Sequence, residues 1–122
     1  MSKTLLVTDD ALIIREMIKD AATNCGWTIT GEATNGQEAI EQYEVCKPDV
    51  MTLDLVMPEF DGLHALRGII EQDPNAKVLV VSALDQQQVL KDAIKLGASD
   101  FIVKPFDKDR LTGALDKLIE TA

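Results

Sequence analysis

The stretch that decides the fold is residues 50–62, which read VMTLDLVMPEFDG. It opens with the mainly apolar run Val50-Met51-Thr52-Leu53, which is typical of a strand buried on both faces of a sheet. Asp54 follows where this strand ends, and Pro58 and Gly62 predict a tight turn beyond it. An acidic residue at the carboxyl end of a central strand lies where open α/β sheets bind ligands. Asp54 is therefore the first candidate functional residue.

Length and composition limit the class of protein. The chain has 122 residues, 46% hydrophobic and 4% aromatic, which predicts one domain with a mainly aliphatic core. Its net charge of −9 argues against direct binding of nucleic acid, which needs a basic surface. The apolar run at 5–7 is too short for a signal peptide or a membrane span, so we predict a cytoplasmic protein that is not bound to a membrane. Cys25 and Cys46 fit no metal spacing and are predicted to be reduced and buried, with a disulfide left open.

Strand and helix patterns alternate along the whole chain. Strands are predicted at 4–8, 27–33, 50–53, 77–82 and 101–104, and helices at 11–24, 35–46, 63–71, 86–96 and 107–120. Apolar spacing predicts that Met17 in the first helix and Ile94 in the fourth face inward, and Gly31 indicates an edge strand. The glutamines at 86–88 are predicted to form an exposed first turn. The alternation predicts a doubly wound α/β domain, in which a parallel sheet carries helices on both faces.

Parallel strands bring their carboxyl ends to one edge of the sheet, so polar residues that follow different strands should meet there. These residues are Asp9 and Asp10 after the first strand, Asp54 after the third, Ser82 on the fourth and Lys104 on the fifth. Two like charges about 4 Å apart repel by roughly 4 kcal/mol at an effective dielectric near 20, so three carboxylates call for a cation. Oxygen ligands that leave room for water and a phosphoryl group favour Mg²⁺. One carboxylate can then attack phosphorus, while the lysine and the serine hydroxyl hold phosphoryl oxygens.

Four segments carry a resemblance to a known family: VTDD at 7–10, LDLVMPEFDG at 53–62, VVSA at 80–83 and FIVKPF at 101–106. Together they resemble the receiver domain of bacterial two-component response regulators, the CheY-like family. The resemblance implies a flavodoxin-like (βα)5 domain over residues 1–122, with five parallel strands in the order 2-1-3-4-5 and no output domain. It implies a monomeric switch, with no enzymatic activity beyond self-phosphotransfer and slow self-dephosphorylation. The switch would take its phosphoryl group from a histidine kinase and signal to a downstream protein, in chemotaxis or in a phosphorelay.

The resemblance also implies which residues bind the metal and which residue accepts the phosphoryl group. Asp54 would be the phosphoacceptor. Asp10, Asp54 and the main-chain carbonyl of Val56 would bind Mg²⁺ directly, and Asp9 would bind it through water.

Further implied roles concern the phosphoryl group and the switch. Ser82, Ala83 and Lys104 would hold the phosphoryl oxygens, and the Lys104–Pro105 peptide bond would be cis. Ser82 and Phe101 would be the switch residues, acting on a protein-binding face formed by helix 4, strand 5 and helix 5. Many members of the family have threonine and tyrosine at these two positions.

The start of the first helix has more apolar residues than one core stripe needs. Ala11, Leu12 and Ile13 are consecutive, and an exposed apolar patch usually marks an interface. We predict that the kinase docks on these three residues.

Other functions are weighed against the same residues. A Mg²⁺-dependent aspartyl phosphatase of the haloacid dehalogenase class would need a second acid two positions after its nucleophile, where this chain has Val56. A flavin carrier of flavodoxin type would have to place a phosphate against Asp9 and Asp10. A receiver that forms part of a larger regulator remains open.

Overall fold

The computed structural model describes residues 3–57, 61–83 and 85–120, which form five strands and five helices in strict alternation. The strands are β1 (Lys3–Thr8), β2 (Trp27–Ala33), β3 (Val50–Leu53), β4 (Val78–Ala83) and β5 (Asp100–Lys104). The helices are α1 (Leu12–Asn24), α2 (Gly36–Cys46), α3 (Gly62–Gln72), α4 (Gln87–Leu96) and α5 (Lys108–Glu120). Each boundary lies within about one residue of the predicted one. No helix in the described part of the chain is long and apolar enough to cross a membrane.

The five strands form one parallel sheet in the order β2-β1-β3-β4-β5, which confirms the predicted fold class and strand order. β2 is an edge strand, as Gly31 indicated. A methyl group at Gly31 would lie 2.8 Å from Oε1 of Gln42 and 3.0 Å from Sγ of Cys46. The glycine therefore lets α2 lie close against the edge of the sheet.

Side chains along each strand alternate between two hydrophobic cores, because successive residues of a strand point to opposite faces. Leu5 and Val7 of β1 pack in the core shared with α1 and α5. Leu6 of β1 and Leu53 of β3 pack in the core shared with α2, α3 and α4. Burial on both faces explains why the central strands read as continuous apolar runs. It also leaves the carboxyl edge of the sheet as the place where polar side chains can gather.

Two predictions about buried helix faces are wrong. Met17 is 43% exposed and Ile94 is 45% exposed. Each follows or precedes a buried residue directly, Ile18 in α1 and Ala93 in α4. Neighbouring residues on a helix point about 100° apart, so a residue next to a buried one can lie at the margin of the buried face, as Met17 and Ile94 do.

The prediction that both cysteines are buried is also wrong. Cys25, at the carboxyl end of α1, is exposed. Cys46 is half-buried, and its Sγ lies 3.1 Å from the main-chain oxygen of Thr30. Neither forms a disulfide.

Candidate functional site

Three carboxylates meet at the carboxyl edge of the sheet. Asp9 and Asp10 follow β1 and Asp54 follows β3, and one oxygen from each lies within 4.8 Å of the others. Asp9 and Asp54 are buried, whereas Asp10 is exposed. Carboxylates at this spacing suit a single hard cation with oxygen ligands at about 2.0–2.1 Å. The predicted acidic cluster is therefore present, and its donor set fits Mg²⁺.

Lys104, at the end of β5, partly neutralises this cluster. Its Nζ lies 2.9 Å from Oδ2 of Asp9 and 3.5 Å from Oδ2 of Asp54. The peptide bond that follows, Lys104–Pro105, is cis. One ammonium group against three carboxylates leaves an excess of negative charge, which a divalent cation would offset.

The main chain and one arginine fix the position of Asp9. Oδ1 of Asp9 accepts a hydrogen bond from the Ala11 N–H at 2.9 Å. Arg15 donates from Nη1 to the main-chain oxygen of Asp9 at 2.8 Å and forms an ion pair with Glu32 at 3.1 Å. The Asp9 carbonyl belongs to the peptide that leads into Asp10, so Arg15 helps to orient both acids. Sequence reasoning missed Arg15, although a cation one turn into the helix after two acids is the signal that could have found it.

Burial shifts the acidity of Asp54. Removal from water and, after it, the nearby charge of Asp9 raise the pKa of Asp54 to about 6, although Lys104 opposes the shift. Oδ1 of Asp54 accepts a hydrogen bond from the Val56 N–H at 3.2 Å, which favours the ionised form. Without a metal, this carboxyl group therefore holds a proton at higher pH than an ordinary aspartate.

This pKa predicts how the stability of the metal-free protein depends on pH. Because the pKa is higher in the folded state than in the unfolded chain, Asp54 opposes folding once it ionises. Its effect is absent below about pH 4 and is complete above about pH 7. A pKa shift from 3.8 to about 6 lowers the free energy of unfolding by about 3 kcal/mol in total, and roughly half of this decrease occurs between pH 5 and pH 8.

Asp54→Asn removes this titration. The amount by which the variant exceeds the wild type in free energy of unfolding should therefore be about 1.5 kcal/mol larger at pH 8 than at pH 5. Urea unfolding in EDTA at both pH values measures this difference. Other acids, such as Glu32 with its lowered pKa, titrate in both proteins and cancel in the comparison. An equal stability gap at the two pH values would contradict the shifted pKa.

The loop after Asp54 returns to the site through Gly62. The Gly62 N–H donates to the main-chain oxygen of Leu55 at 3.0 Å, and Asp61 caps α3 by accepting from the His64 N–H at 3.0 Å. A methyl group at Gly62 would collide with the main-chain oxygen of Asp54. The turn signal at Pro58 lies outside the described residues.

We therefore expect Gly62→Ala to destabilise the protein by about 1–3 kcal/mol, because main-chain atoms beside Asp54 would have to move. Gly113→Ala is the matched control. Gly113 lies inside α5 with nothing within 4 Å of an added methyl group, so this change should stabilise by about 0.5–1 kcal/mol. Urea unfolding measures both. If Gly62→Ala left the free energy of unfolding unchanged, the prediction would be wrong, and the loop would accommodate the methyl group without cost.

The predicted switch residues lie on neighbouring strands. Ser82 is buried near the end of β4, and the ring of Phe101 on β5 is 37% exposed. A groove of about 280 Å³ lies between them and α4, where Leu90 forms part of its wall. The structure thus places an exposed ring beside a space that also borders the buried hydroxyl.

Ala83, predicted to hold a phosphoryl oxygen, already has a hydrogen-bond partner. Its N–H donates to Oε1 of Gln86 at 2.9 Å. The prediction that all three glutamines at 86–88 are exposed is wrong for Gln86, which is half-buried by this contact. Leu84, between these residues, lies outside the described part of the chain.

The apolar start of α1 is exposed, which agrees with the surface expected there. Leu12 is 61% exposed and Ile13 is 69% exposed, while Ala11 is half-buried. The patch adjoins the acidic cluster, because Ala11 follows Asp10 directly and bonds to Asp9.

Comparison with known proteins places this site in context. Residues 5–116 match the family described as response regulator receiver domain. The chain is similar to the chemotaxis protein CheY of Thermotoga maritima, with 50% identity over 118 residues, covering 97% of this chain and 98% of that protein. It is also similar to CheY of Listeria monocytogenes, with 51% identity over 113 residues, covering 93% and 95%. The crystal structure of a CheX–CheY–BeF3–Mg²⁺ complex from Borrelia burgdorferi matches with a TM-score of 0.90 and 34% identity, covering 95% of this chain and 88% of that one.

Proposed function

Because this chain belongs to the family of response regulator receiver domains, we propose that Asp54 accepts a phosphoryl group from the phosphohistidine of a histidine kinase. The chain is a signalling domain of the two-component type, and its similarity to CheY over nearly its whole length supports a role in chemotaxis. The observation that carries the proposal is the place of Asp54, a buried carboxylate within reach of two further acids and of Lys104.

The residues that would hold Mg²⁺ are Asp10, Asp54 and the main-chain oxygen of Val56, with Asp9 acting through water. Three carboxylates at this spacing support that assignment. Bound Mg²⁺ would neutralise the charge of the carboxylates and of the phosphoryl oxygens. The Borrelia complex contains Mg²⁺ together with BeF3, which adds support from a relative.

The proposed transfer moves one phosphoryl group between two residues. A carboxylate oxygen of Asp54 forms a bond to phosphorus, while the bond from phosphorus to the histidine nitrogen breaks and its electron pair stays on that nitrogen. The product is an acyl phosphate on Asp54. The phosphoryl oxygens would then accept hydrogen bonds from Lys104, the Ser82 hydroxyl and the Ala83 N–H.

Output would follow from a change at the face formed by α4, β5 and α5. A hydroxyl that moves toward the phosphoryl group would vacate space beside the groove, and the exposed ring of Phe101 could turn into it. The downstream partner would be a protein that binds this face, and the receiver would act as a monomer. The Borrelia relative assembles with CheX, which shows a protein partner for a member of this family.

Treatment with acetyl phosphate tests the proposed function. With Mg²⁺ present, intact-mass measurement should show one added phosphoryl group, and peptide mapping of the trapped acyl phosphate should place it on Asp54. EDTA should suppress the labelling. A phosphoryl group on another residue would contradict the assignment.

If the kinase docks on the start of α1, substitutions there should slow phosphoryl transfer from the kinase without affecting labelling by acetyl phosphate. Leu12→Asp and Ile13→Asp should each slow transfer from the phosphorylated kinase by roughly tenfold or more, because a charge replaces an apolar contact at the centre of an interface. Labelling by acetyl phosphate should be unchanged. Val45→Asp is the matched control, since Val45 is 80% exposed on α2. Loss of labelling with both donors would indicate misfolding instead of impaired docking.

A further inference from the structure

The side chain and main chain of Gln86 hold both polar main-chain groups of Ala83. Oε1 of Gln86 accepts from the Ala83 N–H at 2.9 Å, and the Gln86 N–H donates to the Ala83 carbonyl at 3.2 Å. Gln86 lies directly before α4 and makes no side-chain capping bond to that helix. Its amide group is therefore committed to the end of β4 and not to the start of α4.

We infer that Gln86 competes with the phosphoryl group for the Ala83 N–H. This inference rests on the proposed function, in which that N–H binds a phosphoryl oxygen. A main-chain N–H is a single donor, so it cannot make a full hydrogen bond to both acceptors. Phosphorylation of Asp54 must then release Oε1 of Gln86, and the lost bond lowers the affinity of the site for a phosphoryl group.

Release of Gln86 gives phosphorylation a direct route to α4. Among the residues of α4, only Ala93 is fully buried, and Val89 and Leu90 near its start are partly buried against the core. Gln86 joins that start to Ala83, the last residue of β4, beside the groove that contains Leu90 and Phe101. The contact between Gln86 and Ala83 thus stabilises the unphosphorylated arrangement of the proposed output face.

Neighbouring glutamines provide the control. Gln88 is exposed, and its side chain donates to Asp92 within α4, at 3.4 Å. Gln88→Ala therefore changes the same residue type nearby without affecting the Ala83 N–H.

Binding of BeF3⁻ in the presence of Mg²⁺ tests the inference, with the full chain titrated by NMR. Gln86→Ala should bind BeF3⁻ about fivefold more tightly than the wild type, the effect of one neutral hydrogen bond that no longer competes. Gln86→Glu should bind more weakly, because a carboxylate is a stronger acceptor and repels the anion. Gln88→Ala should match the wild type. Equal or weaker binding by Gln86→Ala would overturn the inference.

Amide hydrogen exchange in the ligand-free protein provides a second measurement. The Ala83 N–H should exchange faster in Gln86→Ala than in the wild type, and unchanged exchange would overturn the inference. If the wild type binds BeF3⁻ but the Gln86→Ala variant shows no gain, this inference alone fails. If the wild type does not bind BeF3⁻ at all, the proposed function fails and the competition fails with it.

Discussion

Asp54→Asn should abolish phosphorylation by acetyl phosphate and by the kinase alike. The amide of asparagine carries no anionic oxygen to attack phosphorus, and it removes one charge from the metal ligands. The change is nearly isosteric, and it relieves repulsion in the cluster that Asp54 shares with Asp9 and Asp10. The variant should therefore fold, and intact-mass measurement after donor treatment should show no added phosphoryl group.

Asp20→Asn is the matched control for this prediction. Asp20 is exposed on α1, and its side chain makes none of the contacts that define the site. Both variants lose one negative charge, so a general effect of net charge would appear in both. Equal labelling of Asp54→Asn and Asp20→Asn would show that Asp54 is not the acceptor.

Most of the fold could be predicted because its signals are local and periodic. Continuous apolar runs such as 50–53 indicate strands buried on both faces, and Gly31 correctly indicated an edge strand. The periodic pattern did not fix how far each helix turns about its own axis. Met17 and Ile94 were predicted inward for this reason, although they are 43% and 45% exposed.

The acidic cluster could also be predicted, because the topology of a parallel sheet brings Asp9, Asp10 and Asp54 to one edge whatever the details of packing. Arg15 and Gln86 could not be found in this way. Each acts through one side-chain hydrogen bond to a nearby main-chain group, and such a bond depends on the side-chain rotamer and loop geometry. Neither of these leaves a repeating pattern in the sequence.

Mg²⁺ should stabilise the wild type clearly more than it stabilises Asp10→Asn. At about 100 times its dissociation constant, a ligand that binds only the folded state adds about 2.7 kcal/mol to the free energy of unfolding. Loss of a residue outside the ligand shell of a metal commonly costs about 10–100-fold in affinity, and loss of a direct ligand should cost at least as much. At that Mg²⁺ concentration, Asp10→Asn should therefore gain at most about 1.4 kcal/mol, and about 0.4 kcal/mol if its affinity falls 100-fold.

Asp10 separates metal binding from the fold better than the other two acids do. Asp9 and Asp54 are buried, so replacing either of them removes a buried charge and alters the stability of the fold itself. Asp10 is exposed. Urea unfolding of the wild type, Asp10→Asn and Asp20→Asn, each with Mg²⁺ and with EDTA, measures the gain for each protein. Asp20→Asn should gain as much as the wild type, because its charge lies outside the site. If Asp10→Asn gains the full amount as well, Asp10 is not a ligand, and the metal must bind through other oxygens.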